Sequence, residues 1–204
     1  FVLTHLIQKG GRLLHLYREG PGTMRGTLED YAFFIVGLLD LYEATFEPRY
    51  LAKAKELAQA MIPLFWDEAR GGFFMTGEDA EGLLLRQKEV YDGAIPSGNS
   101  VAALGLLRLG RLTMENSFEE KAQALIRSFS EEVSRNPEAY PQLLQALDFG
   151  LGPSYEVVIA GPGAAAETQV MVRTLFSVFL PNKVVAFHPL GGEAHGAGNA
   201  ANVF

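Results

Sequence analysis

The chain has 204 residues, of which 48% are hydrophobic, and this length suits one large domain or one domain with a small appendage. Its net charge of -7 comes without a cluster of Lys and Arg, which argues against nucleic acid as a partner. No apolar run approaches the roughly 20 residues that span a bilayer, and the absence of Cys excludes a disulfide framework and a cysteine nucleophile. We therefore expect a globular protein with no membrane partner, no metal and no cofactor, in a cytoplasmic setting.

The first stretch of the chain has the pattern of a helix end followed by a turn. Residues 1–9 are predicted to be the last part of an outer helix, and Gly10 and Gly11 open a strand-like segment that runs to Tyr17. The same pattern returns at residues 71–76 (GGFFMT), after a second predicted helix that ends near Trp66. We therefore expect the chain to enter a repeated architecture partway through.

Between these turns lies the first copy of an internal repeat with a spacing of 68 residues. The shift aligns residues 37–41 (GLLDL) with residues 105–109 (GLLRL), and the pair Lys53-Ala54 with Lys121-Ala122. Apolar residues keep the same spacing of three and four in both copies, at positions 50, 54, 57, 61 and 65 and at positions 118, 122, 125, 129 and 133. The common register predicts two helical hairpins; the alternative is a chance match between ordinary amphipathic helices.

The two helices of each predicted hairpin differ in polarity. The first helix, at residues 32–39 and again at 101–107, is apolar on all sides, as expected of a buried inner helix. The second helix has a polar face and is predicted to lie in an outer layer. Two layers of stacked hairpins predict a mainly α fold, namely a partial α/α toroid.

A different pattern follows the second hairpin. A third inner helix is predicted from about residue 138 to residue 151, with Pro141 in its first turn. Residues 155–160 and 183–187 have the pattern of strands on either side of a helix at 164–180, which predicts a small β-α-β appendage. The domains are accordingly expected at 1–152 and 153–190, followed by a flexible Gly- and Ala-rich tail at 191–204.

Several motifs, taken together, resemble one known family. They are residues 28–33 (LEDYAF), 65–68 (FWDE) with 71–74 (GGFF), 91–94 (YDGA) with 96–100 (PSGNS), 146–149 (ALDF) and 180–183 (LPNK). They are similar to the carboxyl-terminal region of the YyaL/spermatogenesis-associated protein 20 family. The resemblance implies an α/α toroid of the six-hairpin glycosidase and N-acylglucosamine 2-epimerase type, joined in the family to an amino-terminal thioredoxin-like domain. It implies no catalytic residues, and it makes that thioredoxin-like domain an expected partner.

The loops that precede the two inner helices predict a functional site. Because the repeat makes these helices equivalent, both loops should open on one end of the toroid, its mouth, where the helix amino termini point. Two carboxylates facing each other there could divide acid and base roles on a saccharide, as in glycoside hydrolysis. The candidate catalytic residues are Asp92 with Glu29 or Asp30, and the candidate substrate-binding residues are Tyr31, Tyr91, Ser97, Asn99 and Trp66.

Each of these residues also has a structural interpretation. Thr27 and Asp30 have the spacing of a capping box, Ser97 is an ordinary helix cap, and Asp92 precedes a glycine and can shape a turn. Asn99 lies in an otherwise apolar helix, where a buried amide needs partners. Aromatic residues, for their part, more often fill a core than bind a sugar.

Two functions from different classes therefore remain. The first is a carbohydrate-active enzyme, a hydrolase or an epimerase, that uses the carboxylates of the mouth. The second is a non-catalytic scaffold or binding module for the thioredoxin-like partner domain. A partial toroid also leaves apolar flanks of its inner helices open, so we expect self-association.

Overall fold

The computed structural model describes residues 1–8, 10–80 and 85–190, and these residues form eight α-helices and a two-stranded parallel sheet. The helices are α1 (Val2–His5), α2 (Leu28–Thr45), α3 (Pro48–Phe65), α4 (Gly98–Thr113), α5 (Asn116–Ser128), α6 (Ser130–Arg135), α7 (Pro141–Leu151) and α8 (Ala166–Ser177), and the strands are β1 (Tyr155–Gly161) and β2 (Lys183–Pro189). Within the described ranges, no helix is long and apolar enough to cross a membrane. The prediction of a mainly α fold is confirmed.

The 68-residue repeat is visible in the turns that join the helices of each hairpin. The residues that follow α2 and α4 and cap their carboxyl ends are Phe46 and Met114, and both have a left-handed backbone with a φ of 54°. The equivalent threonines Thr45 and Thr113 each donate a hydroxyl hydrogen bond to the carbonyl four residues earlier, at 2.6 and 2.7 Å. The two predicted hairpins, α2 with α3 and α4 with α5, are therefore confirmed.

The hairpins form two layers. α4 packs between α2 and α7, which makes these three the inner helices, while α3 packs on α2 and α5 packs on α4. The backbones of α2 and α4 approach closely near their midpoints, since a Cβ added to Gly105 would lie 3.2 Å from Val36 Cγ2. Buried Leu39, Leu57 and Leu106 belong to the core that these helices share. Burial of apolar side chains between the layers is the main force that holds such a stack together.

Two helix boundaries differ from the prediction. The second outer helix is interrupted at Phe129, where α5 ends and α6 begins. The Phe129 ring packs against Gly72, because a Cβ added to that glycine would lie 3.0 Å from it. The third inner helix begins at Pro141 rather than near residue 138. The reason is that a residue before proline is disfavoured in the helical region, and Tyr140 accordingly has a φ of -135° and a ψ of 46°. A short 3-10 helix, Pro137–Ala139, occupies the expected start.

The glycine turns are followed by less regular structure than expected. The segments after Gly10 and Gly71 form only isolated antiparallel bridges, which include Ile7 with Leu13 and Trp66 with Phe73. The bridge between Trp66 and Phe73 closes a turn in which the side chain of Asp67 accepts hydrogen bonds from the backbone of Ala69 and from Lys88 Nζ, at 2.9 and 2.8 Å. The hydrogen bond from Lys88 lowers the pKa of Asp67. The FWDE and GGFF motifs are therefore parts of one structural turn.

The predicted β-α-β appendage is present, with α8 shorter than the expected 164–180. β1 pairs with β2 in parallel, in a register that places Tyr155 opposite Lys183. The sheet lies against the carboxyl-terminal ends of the inner helices, because the rings of Phe46 and Phe187 pack with their centres 5.3 Å apart and Arg111 Nη1 lies 2.7 Å from Glu156 Oε1. Whether residues 153–190 are a domain of their own stays a prediction, and the predicted tail 191–204 lies outside the described residues.

Candidate functional site

The predicted mouth exists as one end of the inner helices. The first turns of α2 and α4 lie side by side, since a Cβ added to Gly98 would lie 3.0 Å from Leu28 Cγ and 3.1 Å from Glu29 Cγ. At the other end of the same pair, Arg108 Nη1 of α4 lies 2.8 Å from Asp40 Oδ1 of α2. The two helices therefore run parallel, and their preceding loops open on the same end, as predicted.

At this mouth, Asp92 joins two inner helices. Its Oδ1 accepts a hydrogen bond from the backbone N–H of Ser97 at 2.9 Å, and its Oδ2 accepts from Gln142 and Leu143 at 2.9 and 3.1 Å. Ser97 caps α4, and the other two donors lie in the first turn of α7, where backbone N–H groups lack partners within the helix. The buried Asp92 carboxylate thus accepts three capping hydrogen bonds. Its catalytic role stays a prediction, and proton transfer would have to compete with these bonds.

Asp30 and Glu29 differ in their surroundings. Asp30 Oδ2 accepts hydrogen bonds from the backbone N–H and the hydroxyl of Thr27, at 2.7 and 3.1 Å, and lies 2.8 Å from His15 Nδ1. The capping-box interpretation of Asp30 is therefore confirmed. Glu29 is exposed and forms no ion pair with the residues that the structure describes. Of the three predicted acids, it is the one whose carboxylate reaches solvent freely.

Two predicted substrate-binding residues lie in the core: Tyr31, whose expected position at the rim of the mouth was wrong, and Asn99; their role in binding a substrate stays a prediction. Tyr31 is 0% exposed, and its hydroxyl accepts a hydrogen bond from the backbone N–H of Leu13 at 2.8 Å and donates to the carbonyl of Gly11 at 3.0 Å. The fully buried Asn99 bonds both backbone groups of Phe73, at 2.8 and 2.9 Å. Both side chains satisfy the backbone of the glycine turns, whose buried polar groups would otherwise lack partners.

The remaining predicted residues are divided between surface and interior. Ser97 is buried and caps α4, since its Oγ accepts from the backbone N–H of Ser100 at 3.1 Å. The Trp66 ring packs edge-to-face on Phe73 at 5.0 Å, and Lys121 Nζ lies 4.1 Å above it, so the ring joins α3 to α5. Tyr91 is 57% exposed. The mouth therefore presents Glu29 and Tyr91 to solvent, while most of its other predicted residues hold the fold.

A second site, which the sequence did not predict, lies at the opposite end of the inner helices. It is a half-open cavity of about 890 Å³, which we call the inner pocket. Its walls come from α2, α4 and α7, and from the end of α8, the first residue of β2 and the segment between them: Asp40, Glu43, Leu104, Arg108, Gln145, Asp148, Phe149 and residues 176–183. No described residue of the outer helices lines it. The inner pocket thus belongs to the inner layer and the appendage.

A charged cluster forms one wall of the inner pocket. Arg108 binds Asp40 through Nη1 at 2.8 Å and Glu43 through Nη2 at 3.2 Å. Burial raises the pKa of Glu43, while the charges of Arg108 and, more weakly, Lys183 act in the opposite direction. A buried acid beside a fixed cation in a cavity is typical of ligand-binding and catalytic sites.

The facing wall joins α7 to the appendage. Asn182 Nδ2 donates a hydrogen bond to Asp148 Oδ2 at 2.6 Å, and Lys183 Nζ donates to the carbonyl of Leu180 at 3.1 Å. Lys183 Nζ also lies 5.3 Å from the centre of the Phe176 ring. Two motifs of the family resemblance, ALDF at 146–149 and LPNK at 180–183, therefore meet in this pocket although no role was predicted for them.

Comparisons with known proteins agree with this architecture. No family model matches the chain. It is 40% identical over 195 residues to human spermatogenesis-associated protein 20, with 91% of this chain and 25% of that protein covered, and 42% identical over 161 residues to the rat protein, with 78% and 20% covered. It thus spans about a quarter of the length of the curated relatives it matches.

Comparison with solved structures shows which fold the helical hairpins belong to. Cellobiose 2-epimerase from Bacillus thermoamylovorans superposes with a TM-score of 0.51 at 16% identity, over 64% of this chain and 36% of that one. This likeness identifies the helical hairpins as part of an α/α toroid. Over the region compared, the chain belongs to the spermatogenesis-associated protein 20 family.

Proposed function

We propose that this chain binds a small polyhydroxylated ligand, a saccharide, in the inner pocket. The observation that carries the proposal is the cavity of about 890 Å³ whose wall combines charged groups with aromatic rings. Ligand pockets in proteins commonly enclose about 300–1,000 Å³ and place a few polar groups among apolar ones. The inner pocket has this size and this mixture.

The polar groups of the inner pocket suit hydroxyl groups in particular. A sugar hydroxyl both donates and accepts hydrogen bonds, so it needs acceptors such as Asp148 and donors such as the amides of Gln145 and Asn182. The cluster of Arg108 with Asp40 and Glu43 is already fixed by its own ion pairs, so little side-chain entropy would be lost on binding. Carboxylates beside a bound sugar would also allow acid and base chemistry.

A second function, a non-catalytic scaffold for the thioredoxin-like partner domain, is favoured by the mouth. There the polar side chains of Asp92, Asn99 and Tyr31 all bind backbone groups of neighbouring segments. Such contacts make the mouth rigid rather than reactive. On this proposal, the exposed Glu29 and Tyr91 would contact the partner domain.

The saccharide proposal is tested by calorimetric titration with cellobiose, the sugar in the name of the toroid neighbour. Gln145 is exposed and lines the inner pocket, so Gln145→Ala should weaken binding about 2- to 10-fold through the loss of one hydrogen bond. Gln123→Ala, a change of another exposed glutamine on α5, is the matched control and should leave the affinity unchanged. Absence of binding to cellobiose and to a panel of mono- and disaccharides, or equal affinities of the two variants, would contradict the proposal.

A further inference from the structure

We infer that Phe179 is the platform on which the ligand of the inner pocket stacks, and that this ligand contains a pyranose ring; the inference rests on the proposed function. Phe179 lines the pocket and is 89% exposed, more than the other large apolar residues that the structure describes. A single exposed apolar side chain is ordinary on a protein surface. Here, however, the ring stands at the wall of a polar cavity.

The two other aromatic residues of the inner pocket are less exposed than Phe179, and the larger of their exposed fractions is the 44% of Phe176. Phe149 is almost fully buried in the core. Phe176 is approached by Lys183 Nζ at 5.3 Å from its ring centre, a cation–π contact. Phe179 has no such partner among the described residues. Among the aromatic residues of this cavity, Phe179 therefore offers the most exposed ring.

The backbone around Phe179 is held in place on one side by hydrogen bonds to the pocket wall and to the sheet. Asn182 donates to Asp148 at 2.6 Å, and its carbonyl accepts from the N–H of Tyr155 at 2.8 Å. Leu180, next to Phe179, accepts from Lys183 Nζ at 3.1 Å. A ring presented by a fixed segment loses little freedom when a ligand covers it, because phenylalanine has only two side-chain torsions.

The chemistry of an aromatic face selects for rings. A pyranose presents a flat patch of C–H groups that packs on the negative face of an aromatic ring, while its hydroxyls point outward to polar groups. In the inner pocket that Phe179 lines, such polar groups include those of Asp148, Gln145 and Asn182. An acyclic polyol such as sorbitol has the hydroxyls but lacks the flat patch. The geometry thus favours a pyranose over an open-chain polyol.

The test compares cellobiose and sorbitol binding to the whole chain and to three variants. Phe179→Ala should weaken cellobiose binding about 2- to 10-fold, and Phe179→Trp should restore it, because the larger ring keeps the stacking surface. Val170→Ala, an exposed apolar change on α8 that lies outside the pocket lining, should leave binding unchanged. Sorbitol binding should be equally weak in all four proteins. Thermal unfolding checks that Phe179→Ala still folds, which is expected of so exposed a residue.

The outcomes separate the two proposals. If the unsubstituted chain and Gln123→Ala bind cellobiose, Gln145→Ala binds it more weakly and Phe179→Ala binds it normally, the stacking role of Phe179 is overturned while the proposed function stands. If cellobiose and sorbitol bind equally well, the selection of a ring is overturned. If no saccharide binds, both proposals fail together.

Discussion

Asp40 lies in the first hairpin, and Arg108 lies at the equivalent position of the second hairpin, 68 residues later. The same reversal recurs three residues on, where Glu43 is matched by Arg111. Because equivalent positions on parallel neighbouring helices face each other, the reversal puts Arg108 within reach of both acids of α2, at 2.8 and 3.2 Å. The change of sign at position 108 thus produces the charged wall of the inner pocket.

The position of Glu43 predicts a dependence of stability on pH. Burial raises its pKa, so ionisation of Glu43 costs more in the folded chain than in the unfolded one. Its contribution to the free energy of unfolding is therefore fully present below the ordinary glutamate pKa and is lost as the pH rises through the raised value. Since Gln does not titrate, the melting temperature of the unsubstituted chain minus that of Glu43→Gln should fall as the pH rises from about 4 to about 7.

Asp67 provides a control, because its effect on stability should depend on pH with the opposite sign. The hydrogen bond from Lys88 lowers the pKa of Asp67, so its contribution is present above the ordinary aspartate pKa and is lost as the pH falls through the lowered value. The melting-temperature difference between the unsubstituted chain and Asp67→Asn should therefore grow as the pH rises through the acid range. A Glu43→Gln difference that is flat, or that has the same slope as Asp67→Asn, would show that burial of Glu43 does not govern its ionisation.

At the scale of the helices, the repeat supplies a pair of equivalent glycines with different surroundings. Gly37 lies in the middle of α2, and a Cβ added there would meet no atom within 4 Å. Gly105, its equivalent in α4, faces Val36 Cγ2 at 3.2 Å from the added Cβ. The first hairpin therefore has room for a side chain at this position, whereas the second hairpin uses the absence of a side chain for close packing of α4 against α2.

Alanine at these two positions should have different effects. Gly37→Ala should raise the free energy of unfolding by about 0.5–1 kcal/mol, because glycine in a helix loses more backbone entropy on folding than alanine does. Gly105→Ala should lack this gain, because the new methyl group must displace Val36, and overpacking of a core typically costs about 1–3 kcal/mol. Urea unfolding of the two variants measures the difference. Equal stabilisation by both changes would mean that α2 and α4 can move apart enough to accommodate the new methyl group without cost.

The sequence predicted the helices much better than the site. Apolar spacing and the repeat located both hairpins, and only local chemistry, such as the proline at 141, moved a boundary. The mouth was located correctly, but the partners of Asp92 and Asn99 are backbone groups of distant segments, which no side-chain pattern reveals. The inner pocket brings Glu43, Arg108 and Asn182 together only through tertiary packing. The charge reversal at 40 and 108 is the signal that could have indicated it.

At the scale of the whole molecule, apolar side chains remain uncovered on the inner helices. Leu151, the last residue of α7, is 81% exposed, and Phe33 and Leu41 of α2 are also exposed. Such side chains favour contact with another apolar surface, since burial removes them from water. We therefore propose that the isolated chain self-associates through the inner layer.

Self-association should appear as a concentration-dependent mass. Sedimentation equilibrium of the unsubstituted chain should give a weight-average mass above the 22.3 kDa of one chain and rising with concentration. Leu151→Gln should shift this rise to higher concentration, because it removes an exposed apolar side chain without touching the core. A constant monomer mass for the unsubstituted chain at every concentration would contradict the proposal.

The bonds of Asp92 also have a consequence for the order in which the chain folds. α7 has 11 residues, and an isolated helix of this length is marginal in water. Two of its first N–H groups are satisfied by a carboxylate that lies 50 and 51 residues earlier in the chain. That contact requires closure of a long loop, whereas each hairpin forms from neighbouring segments. Formation of α7 should therefore be a late kinetic event that follows assembly of the two hairpins, with the amino end of α4 as its template.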